Sequence, residues 1–488
     1  MSEVPRGLTF PKFERKPPRQ TATLMATRDG SNGVEVLLCQ RVETMLAFPG
    51  YWVFPGGGIS RVDKESSEAL NISTHQCAIF REVVEELGLA PSDGKLIAVD
   101  ENYRAMVVDE KENWFPLALD GDIPCDTKGI RIISNRTTPP FAPLRFENTF
   151  FHIHAKNHDD FSLVGQTEFD NARWETPANL IKEWKNNLLK IAPPVLTILM
   201  EVDRCLKIMD GDMERVAIDL ENRKPGRKSI LFANGVEVIP IPTATLPPAD
   251  HTNCYIVGDT ETQFVLVDPA FRNREGMELV ADSVERHKGE LIAIVYTHSH
   301  SDHIADAGLL REAFDAPIWS GASSSDRILN DGEILQLGNQ SWTVLHTPGH
   351  HPEHICLLSE SGLIAGDMVA GFGTILVPPQ EGDMVEYVNQ LERLRDLEPH
   401  LIFPSHGPVI PLPQKKLNHY IEHRMKRHNR VYNAVEEGLV KIEDIAKRAY
   451  SDTPDAHPGL AIDQTLSHLL AHEREGHVIH TNNEWVVT

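Results

Sequence analysis

A continuous apolar run, Leu291–Tyr296, ends abruptly on Thr297-His298-Ser299-His300-Ser301-Asp302-His303. A short run of this kind, rich in Ile and Val, reads as a strand buried on both faces. The chain must therefore fold so that a rigid strand end carries three imidazoles and a carboxylate into a loop, which is where chemistry is usually presented. The pattern recurs downstream. Thr343–Leu345 precedes Thr347-Pro348-Gly349-His350, Gly362–Ile364 precedes Ala365-Gly366-Asp367, and His400–Phe403 precedes Pro404-Ser405-His406-Gly407. With 23 histidines in 488 residues, the chain has the imidazole supply that a histidine-built metal centre requires. Imidazole nitrogen with carboxylate oxygen suits zinc, with iron and manganese as the other candidates.

The order H-x-H-x-D-H, followed by His, Asp and His, resembles the binuclear site of the metallo-β-lactamase fold. Carried over position by position, the resemblance implies a first metal on His298, His300 and His350. It implies a second on Asp302, His303 and His406, with Asp367 bridging the two. Paired cations lower the pKa of a shared water and stabilise developing charge, so hydrolysis is the implied reaction, with Asp302 among its catalytic residues. The bridging residue is Asp rather than Cys, which points away from the antibiotic-hydrolysing class and toward thioester, lactone or phosphodiester substrates. Asp268, in Leu266-Val267-Asp268-Pro269, matches an aspartate that this fold uses to buttress the histidine loop. His354, four residues after His350, either faces the substrate as a proton donor or braces the loop.

Thr252-Asn253-Cys254-Tyr255, Gly366-Asp367-Met368, Gly371-Phe372-Gly373-Thr374, the stretch Ser405–Ile410 and His423-Arg424 look like the lactamase-β-like endoribonuclease family, over about residues 229–488. That likeness implies metal-dependent cleavage of single-stranded RNA. Glyoxalase II-like thioester hydrolysis is the alternative. Lys415, Lys416, Arg424, Lys426, Arg427 and Arg430 are opposed only by Glu422. All but Arg430 are the candidate substrate-binding residues, on a local positive face that steers phosphate, or else a solvated helix face.

The first half carries a separate signal. Arg81-Glu82-Val83-Val84-Glu85-Glu86-Leu87-Gly88 places three carboxylates within one helical turn, with Glu82 and Glu86 on one side. Such a box is either a solvated helix face or a hard-oxygen site for magnesium or manganese. With Phe54-Pro55-Gly56-Gly57 upstream it resembles the Nudix hydrolase signature. Two departures stand out: Asp63 replaces the first Glu, and an inserted loop, Lys64–Phe80, overfills the spacer before Arg81. The insertion, Thr138-Pro139-Pro140 with Arg145–Phe151, and Glu168 through Pro177 look like the acyl-CoA diphosphatase branch. By that match Glu82, Glu85 and Glu86 bind the cation and Arg81 orients them. Water then attacks a phosphorus of a nucleoside diphosphate derivative such as a CoA species, with Glu168 a distal candidate. The coenzyme A motif of related enzymes keeps its spacing in Leu37–Arg41, Gly50 and Phe54–Gly57 but loses several of its residues. The alternative for this half is a nucleotide-binding regulatory module without turnover.

The expected architecture is α/β and α+β multidomain. A Nudix α/β/α sandwich spans 18–205, a linker 206–228, a metallo-β-lactamase αββα sandwich 229–411 and a C-terminal winged helix 412–488. Within it, Gln20–Leu38 is expected to be a hairpin, Asn71–Leu87 a helix, Arg104–Asn157 strands and loops, and Pro177–Cys205 helical. A net charge of −24 repels nucleic acid except at a local basic patch. Apolar runs are too short to span a bilayer, so no membrane partner is expected. Residues 1–20 lack the apolar core of a secretory signal, and six scattered cysteines without C-x-x-C spacing fit a reducing compartment, so a cytoplasmic location is expected.

Overall fold

In the strand His251–Asp259 every residue from Thr252 to Gly258 is buried, so both of its faces are covered. Cys254 and Ile256 pack with Ile239, Phe264 and Leu266 against Met277, Val280 and Leu310 of the helices Arg274–Val284 and Ala307–Ala313. The residue between them, Tyr255, faces the other way, its ring 6.0 Å from that of Phe403 in an edge-on contact with a second sheet. That sheet runs Ile334–Leu337, Gln340–His346, Ile355–Ser359, Gly362–Gly366, Ile402–Pro404. Its outer residues Leu345, Cys356 and Leu363 join Tyr387, Leu391, Leu417 and Tyr420 of the helices Met384–Asp396 and Pro413–Glu436. The layering is helix, sheet, sheet, helix, the αββα sandwich that the resemblance implies. The structure is a computed structural model that describes residues 16–139, 142, 144–155, 160–223 and 229–488.

Topology brings the ligand loops together. Gln263–Val267 and Glu290–Val295 run parallel with Val267 opposite Val295, so Asp268 and Thr297 leave the sheet side by side. Gly362–Gly366 and Ile402–Pro404 are likewise parallel with Gly366 opposite Pro404, so Asp367 and His406 emerge together. After the sandwich come the helices Ile442–Ala449 and Pro458–Arg474 and the hairpin Val478–Thr481 and Glu484–Val487. Its turn residues Asn482 and Asn483 both take positive φ, as a tight hairpin turn requires. Val431, Ile445, Leu469, Val478 and Trp485 form the small core of this end.

The chain divides close to residue 228 into two compact units. In the first, Arg19–Gly30 pairs with Gly33–Arg41 as a hairpin and runs parallel to Phe146–His154 in a seven-stranded sheet. The helix Thr74–Leu87 is opened by Ser73, which exchanges hydrogen bonds with Gln76, and closed by Gly88 at φ 67. The inserted stretch Lys64–Phe80 is not a loop. It is the helix Arg61–Leu70 followed by the start of Thr74–Leu87. Helices also replace the expected strands and loops after Arg104, at Glu101–Asp109 and Trp114–Leu119. Part of the expected linker is the helix Met213–Glu221, whose buried Met213, Val216, Ala217 and Leu220 sit at helical spacing inside a polar stretch. Lys224–Arg227, Pro140 and the residues before 16 lie outside the described residues. Among the described residues, no helix is long and apolar enough to cross a membrane.

His152, in the strand Phe146–His154, is buried against Thr27 Oγ1 at 2.8 Å. Burial, with help from His154 and Arg131, holds its pKa down at about 3. A depressed histidine contributes stability that is fully present above the unfolded pKa near 6.5 and is lost as pH falls toward 3. The loss is about 1.4 kcal/mol per pH unit. Urea midpoints of the full chain should fall over that window, and His152→Asn should flatten the slope; an unchanged slope rejects this origin.

Candidate metal centre

The geometry of the site starts from Asp268. This residue follows its strand with φ 46 and is fully buried, and its carboxylate accepts from Thr297 N–H at 2.8 Å and from Thr297 Oγ1 at 2.6 Å. The same carboxylate accepts from His303 Nδ1 at 2.9 Å, so the proton of His303 lies on the outer nitrogen and Nε2 is bare. Every other ligand histidine is oriented in the same way. Thr297 Oγ1 has given its proton to Asp268 and accepts from His298 Nδ1 at 3.1 Å. His300 Nε2 donates to Glu381 Oε1 at 2.7 Å, His350 Nδ1 to Leu376 C=O at 2.7 Å, and His406 Nδ1 to His251 C=O at 3.0 Å.

The inner nitrogens then converge as bare lone pairs. His300 Nδ1 lies 3.0 Å from both His298 Nε2 and His350 Nε2. His303 Nε2 and His406 Nε2 face the carboxylates of Asp302, at 3.9 and 3.5 Å, and of Asp367, at 3.6 and 3.4 Å. The other Asp367 oxygen faces His350 Nε2 at 3.6 Å, so this one carboxylate reaches both groups. Both carboxylates, with His303 Nε2 and His406 Nε2, are buried without a hydrogen-bond partner. Desolvated lone pairs and like charges assembled this way are destabilising unless a cation joins them. The trios His298–His300–His350 and Asp302–His303–His406 each bring ligand atoms within 4.8 Å of one another. The donor set therefore fits two divalent cations of zinc type.

The electrostatics agree. Burial and the neighbouring imidazoles hold His298 well below the usual range, and burial does the same for His350 against the pull of Asp367. Burial alone would hold His303 neutral, but Asp367, Asp302 and Asp268 outweigh it and raise its pKa. A dication would relieve the same three carboxylates.

His354 does not face a substrate. Its Nδ1 lies 2.8 Å from Thr347 Oγ1 and its Nε2 accepts the Asp367 N–H at 3.0 Å, so both ring nitrogens are consumed in fixing the bridging residue. A side chain at Gly366, φ 50, would collide with that ring, which requires glycine before Asp367. The basic run is also redistributed. Arg424 and Arg427 are buried: Arg424 bonds Gln464 and Ile375 C=O, and Arg427 bonds Ala449 C=O and Asp452 with its guanidinium over Tyr450. Lys426 lies 3.6 Å from Asp452 but is exposed, as is Lys415, while Lys416 lies over Tyr420 and Arg430 bonds Ala449 C=O. The expected positive face loses Arg424 and Arg427, which helix Pro413–Glu436 turns toward its own core.

Glu381, which orients His300, and Asn253, whose amide donates to Pro404 and Gly407 carbonyls on either side of His406, were not singled out as functional residues by sequence. Asn253 lies in a quoted motif, whereas Glu381 sits in a plain loop with no spacing signal.

In the first unit Arg81 is the hub. Its guanidinium bonds Asp63 twice, at 2.9 and 3.0 Å, Glu85 at 2.8 Å and Glu82 at 2.9 Å. Asp63 also accepts from the Ser60 N–H at 2.7 Å, opening the inserted helix. Gly56 N–H donates to Glu86 at 2.8 Å, and a side chain at Gly57 would strike Glu82. Burial, offset by Arg81 and reinforced by Glu85, pushes Glu82 up to about 7, and burial with Glu82 and Glu168 raises Glu86. Glu82, Glu85 and Glu86 do not themselves close into a trio of ligand atoms within 4.8 Å, because the Arg81 guanidinium stands between Glu82 and Glu85.

Residues 247–341 and 323–406 match the family model of the metallo-beta-lactamase superfamily. The chain is 29% identical over 217 residues to the beta-lactamase-like protein 2 homolog of Caenorhabditis elegans, covering 42% of this chain and 72% of that protein. It is 29% identical over 195 residues to the atrochrysone carboxyl ACP thioesterase of Aspergillus fumigatus, covering 38% of this chain and 60% of that one. Among solved structures, a NUDIX hydrolase from Alicyclobacillus acidocaldarius is similar at TM-score 0.37 and 22% identity, over 42% of this chain and 97% of that one.

Asp268→Asn removes the acceptor that fixes His303. Metal retention at the Asp302–His303–His406 trio should weaken roughly 10–100-fold, read by competition with a chelator. Retention equal to wild type would show that His303 is oriented without it.

Proposed function

We propose that the metallo-β-lactamase-fold hydrolase in the second half of this chain cleaves acyl thioesters. The observation that carries the substrate class is the inward turn of Arg424 and Arg427. RNA binding draws its affinity from cations placed along phosphates, and in this chain those two arginines are buried in structural bonds. The similarity to a protein named as an acyl-carrier-protein thioesterase supports the same reading. So does the bridging Asp367.

His298, His300 and His350, and Asp302, His303 and His406, would hold divalent cations, which would supply Lewis acidity toward the scissile carbonyl and toward water. The chain's own residues do the rest. Asp268, Glu381 and the carbonyls of Leu376 and His251 hold the proton on the outer nitrogen of four ligand rings, keeping the inner nitrogens available at neutral pH. Asp302 and Asp367 supply the negative charge that retains the cations. Lys416 Nζ lies 3.4 Å from Gly371 C=O, and Gly371 N–H donates to His406 C=O, so this lysine stands beside a ligand loop. Burial lowers its pKa to about 8, so it still carries its positive charge at neutral pH, with which it recognises an anionic part of the substrate.

Full-length protein loaded with zinc or manganese should release thiol from S-lactoylglutathione or an acyl-CoA. His303→Ala should lose more than the roughly 10–100-fold typical of outer partners. Cleavage of labelled single-stranded RNA without thiol release overturns the thioester assignment.

For the first half we infer a Nudix-type site for nucleoside diphosphate derivatives, CoA species included, using magnesium or manganese. The Arg81 hub and the close approach of Gly56 and Gly57 to Glu86 and Glu82 support it. The C-terminal helices and hairpin have the element order of a winged helix. Glu85→Gln should abolish diphosphate hydrolysis across coenzyme A, ADP-ribose and dinucleotides while thiol release stays at wild-type rate. Binding of those nucleotides by wild type without turnover would make this half a regulatory module instead.

A further inference from the structure

We propose, on the binuclear reading of the centre and independently of its substrate, that Gln464 is a positioning residue for the first metal. Through it the helix Pro458–Arg474 governs how firmly His300 and His350 hold their cation. His350 Nδ1 donates to Leu376 C=O at 2.7 Å, and His300 Nε2 donates to Glu381 Oε1 at 2.7 Å. Both acceptors lie within residues 375–383, a stretch that belongs to neither helix nor strand. Its buried backbone groups have no ladder to pair in, so their partners must come from elsewhere.

Those partners are side chains of two C-terminal helices, Pro413–Glu436 and Pro458–Arg474. Gln464 Oε1 accepts from Val377 N–H at 3.2 Å, and its Nε2 donates to Val377 C=O at 2.8 Å. Ser467 Oγ donates to the same carbonyl at 2.7 Å. Arg424 donates to Ile375 C=O, and its Nη1 donates to Gln464 Oε1 at 3.1 Å. A guanidinium offers only donors, so it fixes the Gln464 amide with its oxygen toward Arg424 and Val377 N–H. Leu376, whose carbonyl orients His350, is thus clamped at the residue on either side. At the far end of the stretch Arg474 pairs with Asp383, whose N–H donates to Gly349 C=O at 2.7 Å, next to His350. Gln464, Ser467, Arg424, Ile375 and Val377 are all buried, so water does not replace a partner that is removed, and the stretch must shift to satisfy what is left. The second trio takes no outer partner from this stretch: His303 is oriented by Asp268 and His406 by His251 C=O. Gln464 therefore acts on one metal and not on the other.

The test measures zinc retention by the full chain in competition with a chelator. Wild type should hold two equivalents. Gln464→Leu keeps the bulk of the side chain and removes its bonds to Val377 and Arg424. It should release one equivalent about 10-fold more readily and leave the other at wild-type retention. In a His300→Ala/His350→Ala background only the Asp302–His303–His406 equivalent remains, and there Gln464→Leu should change nothing, whereas a general loosening of the fold would weaken that equivalent too. Ser467→Ala removes a single hydroxyl and should loosen the same equivalent severalfold, so it decides the matter if Gln464→Leu does not fold. Wild-type retention of both equivalents in Gln464→Leu, or in Ser467→Ala where the first variant does not fold, overturns the role of Gln464. So does an equal loss of both equivalents, or a loss that persists in the His300→Ala/His350→Ala background. Fewer than two equivalents in wild type overturns the binuclear reading beneath it.

Discussion

Two carboxylates, Asp302 and Asp367, are buried side by side with every oxygen unpaired. A desolvated carboxylate is among the most unfavourable groups a fold can hold, and two together add mutual repulsion. The second half of the chain is organised around lone pairs that would hold a compensating cation beside them. Five imidazoles have their protons turned outward, and each outward proton meets a group that is built into the scaffold: Asp268, Thr297, Glu381, or a backbone carbonyl. Removing any of these acceptors would free a ring to flip and take a lone pair out of the centre.

That arrangement depends on strand direction. Antiparallel strands alone would scatter successive loops over both ends of a sheet. Each sheet of the sandwich instead ends its meander with a parallel pairing, which places Asp268 beside Thr297 and Asp367 beside His406. His354 then ties the loop after Gln340–His346 to the loop after Gly362–Gly366 by bonding Thr347 and the Asp367 backbone. The first unit uses a different economy. A single guanidinium, Arg81, pairs with Asp63, Glu82 and Glu85 and holds the inserted helix to the box. The Asp at position 63, a departure from the Nudix pattern, is thereby placed where it both pairs with Arg81 and receives the Ser60 N–H at the start of that helix.

Much of this was legible in the residues, and what was not has a common cause. Strand ends carrying His298, His350, Asp367 and His406 follow from apolar runs stopping at polar residues, a local signal. The helix Met213–Glu221 was read as linker because four buried positions among polar neighbours look like a solvated stretch until something covers them. The lysines and arginines from Lys415 to Arg430 read as a charged face because charge along a sequence carries no direction. Helical rotation turns Arg424 and Arg427 into the core and leaves Lys415 and Lys426 outside. Glu381 carried no spacing signal at all, since its partner His300 comes from a distant element.

The sequence by itself determined which side chains are available and which strand ends they follow, because buried strands and the residues that terminate them are encoded locally by hydrophobic pattern. Only the tertiary structure decided which nitrogen of each histidine faces inward, that Asp367 reaches both trios, that His354 braces rather than donates, and that the basic helix is structural. Each of those depends on groups far apart in the chain meeting at hydrogen-bond distance, and such meetings are set by parallel pairing and helix rotation, which a linear pattern does not contain.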